Sequence, residues 1–554
     1  MPAEAAERVL SMVRPQRPLG LYERVEALGA IFAAGRGQLA DPVGLVRAGT
    51  EMRRWRGNPA GIVAAAAAQH PNRVAIVDDD GALTSAELER RTNALARLLL
   101  ERGVGPGSTL GVLAGNGAIV IEAGMAAYKS GANCVYLNTG FSSPQLAEVA
   151  EREGIDLVVA DDEQAARHRE GGSVAIVSRA DTLAAYRDGE DSSPPPPERL
   201  GGVVVLTSGT TGTPRGAQRS KTGSALDAAG ILACIPFEGG DTTIVAAPLF
   251  HGLGLFNANL ALALGSTVVL RSRFGAEEVL ADVGQHRARV LVAVPAMLQR
   301  IMALPRRTLD RYDCSSLRIV VSGGSALSAD LANRCMDRFG EIVYNVYGST
   351  EAALATIATP RDLRVAPGTA GRATPGVRVR VLRDDDSRAR PGETGRIFVG
   401  SGFGFDGYTG GGGKDSVDGM LSTGDVGHVD RWGRLFIEGR ADDMIVSGGE
   451  NVYPAEVEDC LAEHPAVLEA AVLGVPDDEF GQRLAVFVVL RPGRTVGAEE
   501  LKDHVRGRLA RFKVPREIAF LDSLPRNATG KVVKRNLQPE PAGESRSPEE
   551  RNPS

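Results

Sequence analysis

The stretch Leu206-Thr-Ser-Gly-Thr-Thr-Gly-Thr-Pro-Arg-Gly216 follows directly on the apolar run of residues 203–206. Its three glycines allow the backbone to turn tightly and to point N–H groups at an anion. Hydroxyl side chains add hydrogen-bond donors for phosphate oxygens, and they belong to Thr207, Ser208, Thr210 and Thr211. Arg215 adds a fixed positive charge. We therefore predict a phosphate-binding loop, which is not a Walker A loop because it lacks the Gly-Lys-Ser/Thr ending.

Apolar, strand-like runs alternate with helical stretches on both sides of this loop. Upstream, VAIVD at residues 74–78 precedes a helical pattern in which Thr84 is the expected N-cap and Glu87 completes a capping box. Downstream, similar runs recur as far as EIVYNVYG at residues 341–348. This rhythm predicts α/β layers with a largely parallel sheet.

The pattern restarts after Arg440 as a compact unit. A helix is expected from Ala455, followed by two apolar strands, a helix from Ala498 and a strand at residues 517–520. The 554 residues are enough for several domains. We predict a helical extension over residues 1–56, a large domain over 57–439, a small α+β domain over 440–537 and a disordered tail over 538–554.

Composition narrows the class of protein. The formal net charge of −6 gives no indication of nucleic acid as a partner. The five cysteines are dispersed and contain no Cys-x-x-Cys pair, which fits a reducing cytoplasm and argues against a zinc site. The apolar run at residues 60–68 is far shorter than the roughly 20 residues of a membrane-spanning helix. We predict a cytoplasmic protein whose extension packs on the main body; a second interpretation is peripheral contact with the inner membrane face.

Residues 207–216, TSGTTGTPRG, resemble the signature of the AMP-forming adenylating superfamily. Its members include acyl-CoA synthetases, adenylation domains of peptide synthetases and beetle luciferase. The usual signature ends in Pro-Lys-Gly, whereas this chain carries Arg215, which keeps the charge but changes its geometry. The resemblance extends over residues 74–537. It implies an ATP site that includes Thr207, Ser208, Gly209, Thr210, Thr211, Gly212 and Arg215.

The resemblance also implies the fold. Members of the superfamily combine a large multi-layer N-terminal domain, built from two α/β subdomains and a small β-barrel, with a small mobile α+β C-terminal domain. We therefore expect both domains here, in that order.

Two further segments resemble the superfamily's adenine-binding motifs. SGGSA at residues 322–326 is similar to a loop whose backbone lies along the adenine, and the implied contacts are Gly324, Ser325 and Ala326. NVYGSTE at residues 345–351 resembles the YGxTE motif. It implies that Tyr347 stacks on adenine beside Gly348 and that Thr350 contacts the α-phosphate. Glu351, with Thr207, is the implied ligand of Mg²⁺, a cation that prefers oxygen ligands.

The remaining motifs imply contacts to the acid, the ribose and the domain hinge. His251 lies in PLFHGLGLF, residues 248–256, which resembles a wall of the acid pocket. A lone histidine among apolar residues is usually structural, but its position in the motif implies a gate. Asp425, in STGD at residues 422–425, is the implied acceptor of both ribose hydroxyls. Arg440 is the implied contact to ribose or phosphate, and Asp442 is the implied hinge.

The C-terminal motifs resemble those that serve the two half-reactions. VSGGENVYP at residues 446–454 is similar to a loop that lines a thiol tunnel, where Gly448 and Gly449 let the pantetheine arm pass. PRNATGK at residues 525–531 is similar to the terminal signature, in which Lys531 bridges the acid carboxylate and the α-phosphate. An ammonium suits this role because it brings two anions together and stabilises the transition state.

The motif set predicts an ATP-dependent, AMP-forming acid–CoA ligase. A small-molecule acid and MgATP give acyl-AMP and pyrophosphate, and CoA then accepts the acyl group. We expect a medium- or long-chain fatty acid because the wall at residues 248–256 is apolar. Two alternatives stay open: a fatty acyl-AMP ligase that loads the phosphopantetheine of a separate carrier protein, and an aryl-CoA ligase. A non-catalytic nucleotide- or lipid-binding relative is disfavoured, because Arg215 is the single departure among the chemistry-bearing positions.

Overall fold

The computed structural model describes residues 42–168, 174–206, 216–219, 225–402, 405–409, 411, 413–447, 450–477, 481–527 and 530–537. The chain forms two compact units. The first runs to Thr423 and includes His428–Phe436; the second comprises Gly424–Gly427 and the chain from Ile437 onward. Most of the predicted extension and the whole predicted tail lie outside the described residues. The predicted domain boundaries stay predictions.

Helices and strands alternate through the first unit. Its helices are α1 (Pro42–Arg54), α2 (Ala60–Gln69), α3 (Ser85–Glu101), α4 (Ala118–Ser130), α5 (Ser143–Glu153), α6 (Asp162–His168), α7 (Arg179–Asp188), α8 (Ala225–Cys234), α9 (Gly252–Ala263), α10 (Ala276–His286), α11 (Pro295–Met302), α12 (Arg306–Leu309), α13 (Ala329–Phe339) and α14 (Pro360–Val365).

The strands up to the boundary between the units are β1 (Val74–Asp78), β2 (Gly81–Thr84), β3 (Thr109–Leu113), β4 (Asn133–Tyr136), β5 (Leu157–Ala160), β6 (Ala175–Val177), β7 (Val203–Leu206), β8 (Gly216–Arg219), β9 (Thr242–Val245), β10 (Thr267–Val269), β11 (Val290–Val292), β12 (Ile319–Gly323), β13 (Val343–Ser349), β14 (Ala353–Ala358), β15 (Arg372–Ala373), β16 (Arg378–Leu382), β17 (Gly395–Gly400), β18 (Gly407–Tyr408), β19 (Ser416–Val417), β20 (Met420–Val429) and β21 (Leu435–Arg440).

Two large sheets organise the first unit. One has nine strands in the order β15-β14-β13-β12-β11-β9-β10-β1-β2, and the other has seven in the order β18-β8-β7-β4-β3-β5-β6. Neighbours from β13 to β1 and from β7 to β6 run parallel, and the edge strands are antiparallel. A smaller sheet, β16-β17-β20-β19 with β21 on β20, carries the chain across the boundary between the units.

The hydrophobic core shows how the two large sheets are layered. One buried cluster contains Val292 of the first sheet, Leu110 of the second sheet and residues of α3 and α4, so helices lie between the sheets. Leu291 points to the opposite face of its sheet and joins a second cluster with α10, α11 and α13. Successive residues of these parallel strands are therefore buried on opposite faces of the sheet. Both faces of the sheet are covered, as α/β layers require. The predicted α/β class is confirmed.

Helix α3 begins where the sequence predicts. The Thr84 side chain accepts a hydrogen bond from the Glu87 backbone N–H, and the Glu87 carboxylate accepts one from the Thr84 backbone N–H. This reciprocal arrangement satisfies two backbone donors that a helix N-terminus otherwise leaves open. The capping box predicted for this helix is confirmed.

Helices α3 and α4 share a buried ion pair. The Lys129 ammonium is fully buried, lies 2.8 Å from a Glu89 carboxylate oxygen, and donates to Thr92 Oγ1 and Asn93 Oδ1 at 2.7 and 2.6 Å. Burial lowers the pKa of Lys129 and raises the pKa of Glu89, because it disfavours each charge, while the attraction between the two opposes both shifts. Removing either partner alone is therefore expected to lower the stability of the fold, because it leaves the other charge buried without its counter-charge.

We expect Lys129→Ala to destabilise the first unit by about 3 kcal/mol, since Glu89 then loses its buried counter-charge. The measurement is the midpoint of urea unfolding of the full chain. Lys502→Ala is the control, because it removes a lysine whose ion-pair partner, Glu499, is 77% exposed. Equal midpoints for Lys129→Ala and the parent protein would contradict this expectation.

The second unit contains the predicted α+β elements. They are α15 (Pro454–Ala462), α16 (Ala498–Arg506), β22 (Ile445–Ser447), β23 (Glu450–Val452), β24 (Val467–Asp477), β25 (Gly481–Leu490) and β26 (Glu517–Phe520). The sheet order is β23-β22-β25-β24, and β26 pairs with β25 in parallel. Helices α15 and α16 bury Val457, Leu461, Leu501 and Val505 in one core with this sheet. The predicted large N-terminal and small C-terminal domain organisation is confirmed.

Candidate active site

The ends of two parallel strands bring the predicted adenine-binding segments together. β12 and β13 pair so that Ser322 lies opposite Asn345 and Gly323 opposite Val346. The segment 324–326, which follows β12, and residues 347–351, at the end of β13 and in the turn after it, therefore lie at the same edge of the sheet. This is the carboxyl edge, at which open α/β sheets bind ligands. A Cβ at position 323 would lie 2.5 Å from the Val346 carbonyl oxygen, so glycine is needed for this close approach.

A tight turn between β13 and β14 sets the position of Thr350 and Glu351. A Cβ at Gly348 would lie only 1.9 Å from the Ala353 carbonyl oxygen. The register between the two strands shifts between Tyr347 and Gly348, and Ala353 has a positive φ of 59°. The Ser349 hydroxyl accepts a hydrogen bond from the Ala352 N–H at 2.9 Å. This compact geometry explains why the motif places a glycine directly after its tyrosine.

Glu351 is a buried carboxylate with two polar partners. It is 7% exposed. The Tyr408 hydroxyl donates a hydrogen bond to its Oε1 at 2.6 Å, and Lys414 Nζ lies 3.9 Å from the same oxygen.

The chemistry of Glu351 suits a magnesium ion that is shared with a substrate. Mg²⁺ is commonly held by one or two carboxylates together with substrate phosphates and waters. Within the described parts of the chain no group of three or more His, Cys, Asp or Glu side chains could hold a metal alone. Thr207, the second predicted ligand, lies outside the described residues.

The strands that flank the predicted phosphate loop are paired. β7 and β8 are antiparallel, with Leu206 opposite Gly216. The predicted contacts within the loop lie outside the described residues: Thr207, Ser208, Gly209, Thr210, Thr211, Gly212 and Arg215. Leu206 and Gly216, the residues on either side of the predicted loop contacts, are therefore neighbours in the sheet.

His251 lies at the N-terminus of α9. It is the N-cap residue of this helix, and its ring centroid lies 5.7 Å from that of Phe250. A Cβ at Gly254 would lie 2.4 Å from the Pro248 carbonyl oxygen, so this glycine allows the chain to fold closely onto the helix start. The two rings therefore lie directly before the apolar first turn of α9, and the gating role of His251 stays a prediction.

In the second unit, Arg440 links two predicted site residues. Its guanidinium lies 3.5 Å from an Asp425 carboxylate oxygen and 2.9 Å from an Asp442 carboxylate oxygen. Burial lowers the pKa of Arg440, but the hydrogen bond that it donates to Asp442 and the charges of both aspartates outweigh this effect and hold the pKa above the usual value. Asp425 is thus held beside a fixed cation, and the 3₁₀ turn Ala441–Asp443 follows at once.

A tight turn in the second unit fixes the backbone of Lys531. Its N–H donates to the Asn527 side-chain oxygen at 3.0 Å, and its carbonyl accepts from the Asn527 N–H at 2.9 Å. Gly530 has a φ of +80°, which a residue with a side chain rarely adopts. Gly448 and Gly449, the predicted tunnel residues, lie outside the described residues.

The sequence motifs did not identify two residues that contact Glu351. Tyr408 follows it by 57 positions and belongs to β18, which pairs with β8. Lys414 comes after a run of four glycines at residues 410–413. Neither stands at an informative spacing from the YGxTE-like motif, so only the tertiary pairing of strands identifies them.

A large α/β unit with paired motifs at its sheet edge, joined to a small α+β unit, defines the class of adenylate-forming enzymes. The chain belongs to the AMP-binding enzyme family, whose model matches residues 63–409, and the AMP-binding enzyme C-terminal domain matches residues 456–531. The predicted adenylating superfamily and the predicted enzyme class, an AMP-forming acid–thiol ligase, are confirmed.

Several characterised proteins are similar to this chain. Indoleacetate–CoA ligase of Aromatoleum aromaticum is 38% identical over 341 residues, which are 61% of this chain and 66% of that protein. Feruloyl-CoA synthase of Amycolatopsis sp. is 36% identical over 473 residues, covering 84% of this chain and 95% of that protein. The solved structure of o-succinylbenzoate CoA synthetase from Bacillus subtilis, in complex with its acyl-adenylate intermediate, superposes with a TM-score of 0.76 at 29% identity and covers 87% and 99% of the two chains.

Among the helices that the structure describes, none combines the length and the apolar character needed to cross a membrane.

Proposed function

We propose that this enzyme activates an aromatic carboxylic acid as its acyl-adenylate with MgATP and then transfers the aryl-acyl group to CoA. The observation that carries the adenylation step is the buried carboxylate of Glu351, held beside the adjoining ends of β12 and β13. An aromatic acid is supported by three of the relatives, whose names specify indoleacetate, feruloyl and o-succinylbenzoate substrates. These names favour the aryl-CoA alternative over the fatty acid expected from the apolar wall.

In the first half-reaction, a carboxylate oxygen of the acid attacks the α-phosphorus and the bond to pyrophosphate breaks. Lys531 holds the two anions together and stabilises the charge of the transition state. Thr350 contacts the α-phosphate, and Glu351 holds Mg²⁺, which supplies neutralisation of the phosphate charge. Tyr347 and the loop 324–326 position the adenine.

In the second half-reaction, the CoA thiol attacks the acyl carbon and AMP leaves. Asp425 accepts hydrogen bonds from the ribose hydroxyls and keeps the adenylate in place. Arg440 contacts the ribose or the phosphate, and a rotation at Asp442 exchanges the groups that the C-terminal domain presents. No covalent enzyme intermediate is required, because AMP is already a good leaving group.

The acid pocket is proposed to lie against the wall formed by Phe250, His251 and the start of α9. The two rings lie 5.7 Å apart with their planes at 46°. This separation falls within the range of favourable aromatic contacts, so a flat substrate ring can pack against the pair.

We expect Gly449→Leu to spare acid-dependent pyrophosphate release and to block thioester formation, because a leucine side chain would obstruct the passage of the pantetheine arm. The two half-reactions are measured separately, as pyrophosphate release and as acyl-CoA by chromatography. Gly497→Leu, at the exposed N-cap of α16, is a matched control. Normal thioester formation by Gly449→Leu would refute the tunnel role.

The proposed substrate class is tested with a panel of acids. Pyrophosphate release is followed with indoleacetate, ferulate, benzoate, 2-succinylbenzoate and straight-chain acids from acetate to palmitate, each with and without CoA. We expect the highest kcat/KM with an aromatic acid and formation of its CoA thioester. A preference for a long-chain acid would restore the fatty-acid interpretation. Acid-dependent release without any CoA thioester would instead favour a carrier-protein acceptor.

A further inference from the structure

We propose that Tyr408 is a positioning residue for the metal-binding carboxylate of Glu351. Its hydroxyl fixes one carboxylate oxygen so that the other is presented to the cation of MgATP. This inference rests on the proposed metal role of Glu351.

The contact between the two side chains is short and directional. The Tyr408 hydroxyl donates to Glu351 Oε1 at 2.6 Å, a length typical of a hydrogen bond to an ionised carboxylate. Glu351 is 7% exposed, so little water competes for this oxygen. The Tyr408 ring is itself held by Phe405, whose centroid lies 5.2 Å away in an edge-to-face arrangement. The donor is therefore preorganised.

A second group acts on the same carboxylate oxygen. Lys414 Nζ lies 3.9 Å from Glu351 Oε1, and the Lys414 side chain is largely buried at 22% exposure. Among the residues that the structure describes, Oε2 receives no such contact. The carboxylate is thus restrained at one oxygen, which leaves the other as the oxygen that can ligate a cation.

Backbone pairing connects Tyr408 to the strand that follows the predicted phosphate loop. Tyr408 pairs with Ala217 of β8, and the Thr409 N–H donates to the Gly216 carbonyl oxygen at 3.0 Å. Gly216 is the residue at which the predicted loop ends. The strand that carries Tyr408 therefore pairs with β8, the strand that follows the predicted loop, and its tyrosine reaches the carboxylate that would bind the metal.

The test compares the binding of ATP with and without its metal. The full-length enzyme is titrated calorimetrically with ATP in EDTA, with MgATP and with MnATP, in the absence of any acid, so that no turnover occurs. The ratio of the dissociation constant of ATP to that of MgATP reports how much the metal contributes. We expect Tyr408→Phe to lower this ratio about fivefold, which is on the scale of the net contribution of one typical hydrogen bond, and to leave metal-free ATP binding unchanged.

A matched control comes from a second tyrosine–glutamate pair. Tyr312 donates to Glu277 Oε1 at 2.7 Å, and neither residue belongs to a site motif. Tyr312→Phe removes the same hydroxyl from the same kind of acceptor and is expected to leave the ratio unchanged.

The outcomes separate this inference from the proposed function. If Glu351→Gln lowers the ratio but Tyr408→Phe does not, Tyr408 does not position the carboxylate and the inference is overturned. If Tyr408→Phe weakens ATP and MgATP equally, its role is structural and the inference is also overturned. If Glu351→Gln itself leaves the ratio unchanged, the metal role of Glu351 fails, and the inference falls with it.

Discussion

Lys531→Ala is expected to slow acid adenylation by about two to three orders of magnitude, the scale of losing one preorganised charge at a transition state. Thioester formation from supplied acyl-AMP should survive far better, because the bond to pyrophosphate is already broken. The two rates are measured separately, as acid-dependent pyrophosphate release and as acyl-CoA formed from synthetic adenylate.

The control for this variant is Lys502→Ala, which removes an ammonium from a surface ion pair with Glu499 in the same unit. It should change neither rate. An equal loss of both half-reactions in Lys531→Ala would contradict the role assigned to this lysine. The turn that fixes the Lys531 backbone is held by Asn527 and by the positive φ of Gly530, so the alanine variant should keep its local conformation.

Glu351→Gln is expected to slow adenylation by about two orders of magnitude, since a neutral amide stabilises a magnesium ion less well than a carboxylate. The concentration of Mg²⁺ that gives half-maximal pyrophosphate release should rise in parallel. Thioester formation from supplied acyl-AMP should be nearly normal, because no pyrophosphate or accompanying metal takes part in that step.

Glu277→Gln is the matched control, since Glu277 accepts a hydrogen bond from Tyr312 as Glu351 does from Tyr408. It should leave the Mg²⁺ dependence unchanged. A normal Mg²⁺ dependence in Glu351→Gln, or an equal loss of both half-reactions, would count against the metal role of this carboxylate.

Local features of the fold could be predicted from the sequence. The capping box of Thr84 and Glu87 involves residues three positions apart, so its pattern is complete within one segment. The helices near Ala455 and Ala498 and the strand at 517–520 were predicted for the same reason, because each carries its own periodicity.

Long-range pairing could not be predicted in this way. Nothing in the local pattern indicates that β18 pairs with β8, or that this pairing brings Tyr408 onto Glu351. The assignment of Gly424–Gly427 to the second unit is equally non-local, because it depends on how the hairpin of β20 and β21 packs. Both features arise from tertiary contacts between residues that are distant in the chain.

The substrate class shows a different limit of sequence reasoning. An apolar segment at residues 248–256 is compatible with an alkyl chain and with an aromatic ring, since burial of either is governed mainly by apolar area. The expectation of a fatty acid therefore had no feature that excluded an aryl acid. The aryl acid of our proposal is supported by the names of three relatives.

The most direct test of the central claim is acid-dependent exchange of labelled pyrophosphate into ATP, measured without CoA. We expect exchange that requires both the acid and Mg²⁺, is strongest with an aromatic acid, and is nearly abolished in Lys531→Ala. Exchange that is absent with every acid of the panel, or that proceeds equally well without any acid, would contradict the adenylation mechanism.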